Sequence, residues 1–178
     1  VYVTSPCLQA LMERDIPVTW HSFGGWFFGH SVGNGHKNVE LRTAQHRASF
    51  DERHCLRLAR GLVIAKIANA RTLLRRNDKS EGKPERAIAD MKRLMRQAQH
   101  AEDLSQLLGF EGQAAALYFA HFGCMLREPE ATGFDFATRN RRPPKDPVNA
   151  LLSLAYALLV RTFTVALQAT GFDPFRGF

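Results

Sequence analysis

The sequence predicts an α+β fold, with the C-terminal part of a small β-sheet domain followed by a mainly α-helical domain. Three observations predict it. β-branched and aromatic runs are confined to residues 1–38. From Ser49 onward, apolar residues recur at the helical period. Between these stretches Pro, Gly, Asp and Asn fall where turns and caps need them. The expected organisation is therefore 1–38 for the end of the β domain, 39–48 for a connector, and 49–178 for the helical domain.

Ser5 to Arg14 reads as a short helix, with Pro6 tolerated in its first turn. Ile16-Pro17-Val18-Thr19-Trp20-His21 and Trp26-Phe27-Phe28-Gly29-His30 read as strands separated by Gly24-Gly25, and Gly33-Asn34-Gly35 follows as a turn. Two strands are too few to stand alone, so further strands are expected from elsewhere. Ser49-Phe50-Asp51-Glu52 has the spacing of a capping box, opening a helix to about Arg76. Asn77 to Gly82 is a polar loop. Pro84 suits the first position of a second helix carrying Ile88, Met91, Leu94 and Met95. Leu104 to Leu108 is expected to stop at Gly109, with Glu111 to Met125 as a separate helical unit. Residues 127–146 form a polar loop, and Asp146-Pro147 caps a final helix ending at Gly171.

The chain has 178 residues, 45% of them hydrophobic and 23% charged, which suits one or two globular domains. Its net charge is +7. The excess is local, because residues 51–100 hold 13 basic and 6 acidic groups. Such localisation points to a face for a polyanion, or to a solvated helix face. Three widely spaced cysteines (Cys7, Cys55, Cys124) suit buried thiols in a reducing compartment. The longest apolar run, Leu151 to Val160, is interrupted by Ser153 and Tyr156 and falls short of a membrane span, so no membrane association is expected. The start at Val1 lacks a signal-peptide pattern, and the chain reads as the middle of a longer one.

On a helical wheel Arg53, Arg57, Arg60, Arg71 and Arg75 fall within an arc of about 60°. Leu56, Val63, Ile67, Ala70 and Leu74 adjoin it. Five like charges without acidic i+4 partners repel one another, and successive phosphates would relieve this. Arg139-Asn140-Arg141-Arg142-Pro143-Pro144-Lys145 is a second basic cluster, stiffened by proline. Glu111 sits between Gly109 and Gly112, where a backbone, a phosphate or a Mg²⁺ or Mn²⁺ ion could approach closely. Spacing alone equally suits a Glu placed by the helix dipole. His30 and His36, with His21 and Cys7, lack zinc-like spacing. Tyr118 and Tyr156 lie among apolar residues at helical spacing, as core residues do.

Several stretches together resemble one family. They are Phe110-Glu111-Gly112-x-x-Ala115-x-x-Tyr118-Phe119, then Arg141-Arg142-Pro143-Pro144-x-Asp146-Pro147-x-Asn149-x-x-Leu152-Ser153-x-x-Tyr156, then Gly171-Phe172-Asp173-Pro174-x-x-Gly177-Phe178. Ile16-Pro17-Val18, Phe23-Gly24-Gly25 and Ala65-Lys66-Ile67-x-Asn69 are similar to its earlier parts. The family is the CRISPR adaptation integrase, the first-numbered CRISPR-associated endonuclease.

The resemblance implies a homodimer with a β domain and a helical catalytic domain, the latter truncated here at its C-terminal end. It implies a metal-dependent DNA endonuclease and integrase using Mg²⁺ or Mn²⁺, which inserts foreign DNA into the repeat array by transesterification. Glu111 corresponds to one catalytic metal ligand. The family's His and second acid fall beyond Phe178, so this stretch alone is not expected to be active. Implied partners are double-stranded DNA with 3′ overhangs, repeat-array DNA, a second small adaptation subunit, and an iron–sulfur exonuclease, fused or separate. The setting is the prokaryotic cytoplasm. Arg53, Arg57, Arg60, Arg71, Arg75, Arg139, Arg141, Arg142 and Lys145 are the expected DNA contacts. Two other readings of the residues stay open: a non-enzymatic nucleic-acid-binding helical domain, and a tyrosine recombinase using Tyr156.

Overall fold

A computed structural model describes residues 2–34, 38–80, 84–127, 133–141 and 143–177. In chain order its elements are α1 (Ser5–Glu13), β1 (Val18–His21), β2 (Phe27–Ser31), α2 (Val39–Ala48), α3 (Glu52–Asn77), α4 (Glu85–Gln99), α5 (Leu104–Ala120), a 3₁₀ turn (Phe122–Met125) and α6 (Pro147–Thr170). The α+β class is as the sequence predicts. The elements pack as two compact units, Val1–Phe50 with Leu152–Gly177 and Asp51–Leu151. The helical stretch after residue 48 is thus shared between them, with most of α6 packing alongside the N-terminal elements.

In the first unit β1 and β2 form an antiparallel ribbon that pairs Val18 with Ser31 and Trp20 with Gly29, with a bulge between Trp20 and His21. The turn is closed by the Ser22 N–H on the Trp26 carbonyl at 2.8 Å. Gly25 has φ +82°, and a Cβ there would stand 3.3 Å from Leu154 Cδ1. Gly33 passes so close to α1 that a Cβ would meet the Met12 carbonyl oxygen at 2.5 Å. α6 ends in a Schellman motif: Gly171 N–H bonds Gln168 O and Phe172 N–H bonds Leu167 O, with Gly171 at φ +93°.

The segment after α6 is held by α2. Buried Gln45 donates from Nε2 to the carbonyls of Asp173 (2.9 Å) and Arg176 (3.1 Å), and its Oε1 accepts from Asp173 N–H at 2.9 Å. Arg176 Nε donates to Ser49 Oγ at 2.6 Å, and its guanidinium lies 4.7 Å from the Phe50 ring centre.

The second unit is a bundle of α3, α4 and α5. Ile67 and Leu74 meet Met91 and Leu94 and Ala114, with Val63, Phe110 and Leu117 packed around them. A second cluster of Ala98, Ala101 and Leu107 closes one end.

Several expectations are corrected. Residues 39–48 are a helix, with Asn38 Oδ1 accepting from Leu41 N–H. Asp51, not Ser49, caps α3, accepting from the N–H groups of Arg53 and His54. The Ser49 hydroxyl is taken up by His46 O and Arg176 Nε. α5 runs unbroken through Gly109 and Gly112. Neither glycine has a positive φ, and burial of Leu107 and Ala114 on either side offsets their ~1 kcal/mol propensity cost each. Pro84 is the N-cap of α4, one place before its expected position. Cys7 is exposed, and only Cys55 is fully buried. α6 is long and apolar enough to cross a membrane by length and composition, because Ser153 and Tyr156 do not interrupt a helix as they interrupt an apolar run. In this fold its Arg161 donates to Thr19 Oγ1 at 3.4 Å.

Candidate active site around Glu111

α5 begins at Asp103, whose Oδ1 accepts from Gln106 N–H at 2.7 Å. Its buried residues Leu107 and Ala114 face the bundle interior and place Glu111 on the edge of that stripe. On α3, buried Ile67 does the same for Lys66. The two edges meet, and Lys66 Nζ pairs with Glu111 Oε1. The Glu111 side chain keeps 26% of its exposure and Lys66 59%. A pair this open to water contributes about 0–1 kcal/mol. No Cβ would meet anything within 4 Å at Gly109 or Gly112, so space beside the carboxylate is open.

Among the described residues no three His, Cys, Asp or Glu side chains converge. Mg²⁺ and Mn²⁺ take several oxygen ligands. The described residues supply one carboxylate with a cationic partner, and alone they do not make a divalent-metal site.

The arginine stripe divides. Arg60 reaches the Ala101 carbonyl with Nε, at 3.0 Å, and with a second N–H. Arg71 Nε donates to Ile88 O at 3.1 Å. Both fasten α4 to α3, which corrects the expectation that the stripe lacks internal partners. Backbone carbonyls, not i+4 acids, relieve the repulsion there. Arg57 bonds His54 Nδ1 at 2.9 Å and stays exposed. Arg53 and Arg75 are exposed, with no side-chain partner among the described residues. Lys66 lies ~150° around α3 from this stripe, so Glu111 and the arginines occupy opposite flanks of the buried face.

The second basic cluster also divides. Buried Asn149 is the centre of a knot: its Oδ1 accepts from Arg139 NH1 (2.6 Å) and Asn140 N–H (3.1 Å). Its Nδ2 donates to Thr138 O (2.9 Å) and Asp146 Oδ2 (2.7 Å). Asp146 Oδ1 accepts from Asn149 N–H at 2.7 Å, capping α6 as its sequence position predicts. The side-chain and backbone hydrogen bonds from Asn149, then the Asn140 amide and Arg139, hold the Asp146 carboxyl below the usual carboxylate value against a small opposing effect of burial. Arg139 is thus part of the fold, while Arg141 and Lys145 are exposed. Arg142 lies outside the described residues.

The histidines near the ribbon make ring contacts instead of a metal cluster. His30 stacks on Phe27 at 6.2 Å and His21 tilts against it at 5.5 Å, while His36 lies outside the described residues. Tyr118 meets Phe119 and Phe122 edge-on, as a core residue does. Tyr156 is 46% exposed, which corrects its placement in the core. Sequence reasoning did not single out Lys66, Asn149 or Gln45 as functional or structural centres. The first two stand inside the motifs quoted above. Gln45 left no signal beyond being a polar residue that a helix buries.

The sequence profile described as CRISPR associated protein Cas1 matches residues 1–178. A Geobacter sulfurreducens protein named CRISPR-associated exonuclease Cas4/endonuclease Cas1 fusion is 56% identical over 99% of this chain and 33% of its own length. A Thermus thermophilus protein named CRISPR-associated endonuclease Cas1 3 is 38% identical over 99% of this chain and 50% of its length. The chain therefore spans a third of the one and half of the other. A solved structure described as a Cas6-RT-Cas1--Cas2 complex superposes with a TM-score of 0.75 at 31% identity, covering 98% of this chain and 19% of that one. With the profile matching from end to end, this chain belongs to the Cas1 family of CRISPR-associated proteins.

Proposed function

We propose that the protein containing this chain acquires CRISPR spacers as a metal-dependent DNA endonuclease and integrase, with Glu111 in its catalytic centre. One observation carries this reading. In a chain of the Cas1 family, a half-buried carboxylate stands at the α3–α5 seam beside two glycine positions that leave room for a phosphodiester. The proposed reaction is transesterification. The 3′-oxygen of an incoming strand forms a P–O bond in the repeat array while the existing P–O bond to a 3′-oxygen breaks. The attacking hydroxyl gives up its proton and the displaced oxygen takes one, without a covalent protein intermediate. Mg²⁺ or Mn²⁺ belongs to this proposal, with Glu111 as one oxygen ligand and the others from outside the described residues.

Arg53, Arg57, Arg75, Arg141 and Lys145 are the proposed phosphate contacts, since Arg60, Arg71 and Arg139 already spend N–H groups on the fold. The substrates are double-stranded DNA with 3′ overhangs and the repeat array, and the acting form is a homodimer. Likeness to the solved Cas6-RT-Cas1--Cas2 complex supports a second small subunit of the Cas2 type as partner, and the names of the fusion relatives support a Cas4-type exonuclease joined to the chain. The test is Glu111→Ala in the full-length protein. Mg²⁺- or Mn²⁺-dependent strand transfer is lost while DNA binding persists; undiminished integration refutes the assignment.

A further inference from the structure

We infer that Lys66 is the resident counter-ion of Glu111, standing where a divalent cation would bind, and that the cation must displace it. This rests on Glu111 being a metal ligand as proposed above. Among the described residues Lys66 is the one cation paired with this carboxylate. The positive end of α5 does not replace it, because Glu111 lies two turns past Leu104 and the helix dipole acts within the first turn.

The chemistry of the pair suits exchange. Lysine is a compact, strongly hydrated point charge on a flexible stem, whereas arginine would grip both carboxylate oxygens in a planar fork. The ammonium is mostly exposed, so it can leave without opening the core, whose Ile67 and Ala114 hold the two helices in place. The other basic groups of α3 lie on its far flank or are fastened to α4, so none of the stripe is placed to replace it. Cation and ammonium then compete for one carboxylate, and each weakens the other's hold by the same factor.

The experiment is a Mn²⁺ titration of the full-length protein, followed by calorimetry or by the resonance of free Mn²⁺. Replacing Lys66 with Met removes the competitor, and affinity should rise by about two- to fivefold, the span of a partly exposed ion pair. K66R, which keeps the charge, should bind Mn²⁺ no more tightly than the parent. Should K66M fold poorly, K66Q tests the same expectation. Unchanged or weakened Mn²⁺ binding in a folded K66M or K66Q protein overturns the inference. E111Q separates the two readings. If E111Q loses the Mn²⁺ site while K66M leaves affinity unchanged, only the counter-ion role fails. If E111Q binds Mn²⁺ like the parent, the metal-ligand reading fails and takes this one with it.

Discussion

Arg60 of α3 donates two N–H groups to the carbonyl of Ala101, the residue that follows the end of α4. Arg71, three turns on, donates to Ile88 near the start of α4. Two members of one arginine stripe therefore hold the two ends of the neighbouring helix, and the remaining members face water. A guanidinium suits the first task because its fork satisfies helix-terminal carbonyls that have no intrahelical partner.

This division predicts two classes of variant. Arg60→Ala and Arg71→Ala each remove charged hydrogen bonds in partly buried positions and should lower unfolding free energy by about 1.5–3 kcal/mol. Arg53→Ala and Arg75→Ala should change stability by less than about 0.5 kcal/mol. If these two touch phosphates, each should flatten the slope of log affinity for duplex DNA against log salt by ~0.9. Urea melts and salt-dependent binding isotherms read the two effects separately. A normal melt for Arg60→Ala with a reduced salt slope would return that residue to the DNA-binding class.

The Asn149 knot predicts an acid limb. Asp146 has its carboxyl lowered by hydrogen bonds present only in the folded chain. Its contribution is therefore complete above the ordinary value of 3.8 and disappears as pH falls through the lowered folded value. Asp146→Asn puts an amide nitrogen against the amide donors of Asn140 and Asn149, so it should be less stable at pH 7 and lose less on acidification. Denaturant melts between pH 7 and pH 3 check both. Parallel curves for the two proteins would show that the carboxylate is not titrating in the knot.

The sequence carried the elements well where period and punctuation agreed. The paired runs around Gly24-Gly25, the long helix after Asp51, and the Asp146-Pro147 cap are where their patterns place them. It misled where a local rule was overridden by packing. Gly109 and Gly112 look like stops, yet Leu107 and Ala114 are buried on one continuous face. Ser49 has the right spacing for a cap, yet its hydroxyl is bonded to Arg176, which is 127 residues away. The candidate site was legible at Glu111 because its glycine-flanked motif is specific. Lys66 was not, because a helix wheel shows which side of α3 it occupies but not which helix stands there. The same wheel groups all five arginines and cannot tell those that meet α4 carbonyls from those that meet water.

Gly33 supplies a backbone test of the first unit. A Cβ at this position would lie 2.5 Å from the Met12 carbonyl oxygen, which belongs to the main chain and cannot rotate aside. Gly33→Ala should therefore force α1 and the chain after β2 apart and cost about 1–3 kcal/mol. Gly24→Ala, with only Ser22 Oγ nearby at 3.9 Å, is the matched control and should be close to neutral. Equal melting temperatures for the two variants would contradict this contact.

Gln45 should be the residue on which the order of the segment after α6 depends. Its amide meets one N–H and two carbonyls of Asp173 and Arg176, and none of these backbone groups lies in a helix or strand that could satisfy it otherwise. Replacing Gln45 with Leu keeps the volume and the burial but leaves those three groups unpaired, at about 1–3 kcal/mol each if they stay buried. Opening the segment to water relieves that cost more cheaply than unfolding the unit. The amide of Asp173 should therefore lose its exchange protection in Gln45→Leu, while amides in the middle of α3 keep theirs. Gln45→Glu separates shape from hydrogen bonding. A carboxylate still accepts from Asp173 N–H but has no donor for the two carbonyls, so the same amide should be partly protected at neutral pH. Full protection in both variants would mean that the grip of Arg176 on Ser49 and Phe50 holds the segment by itself.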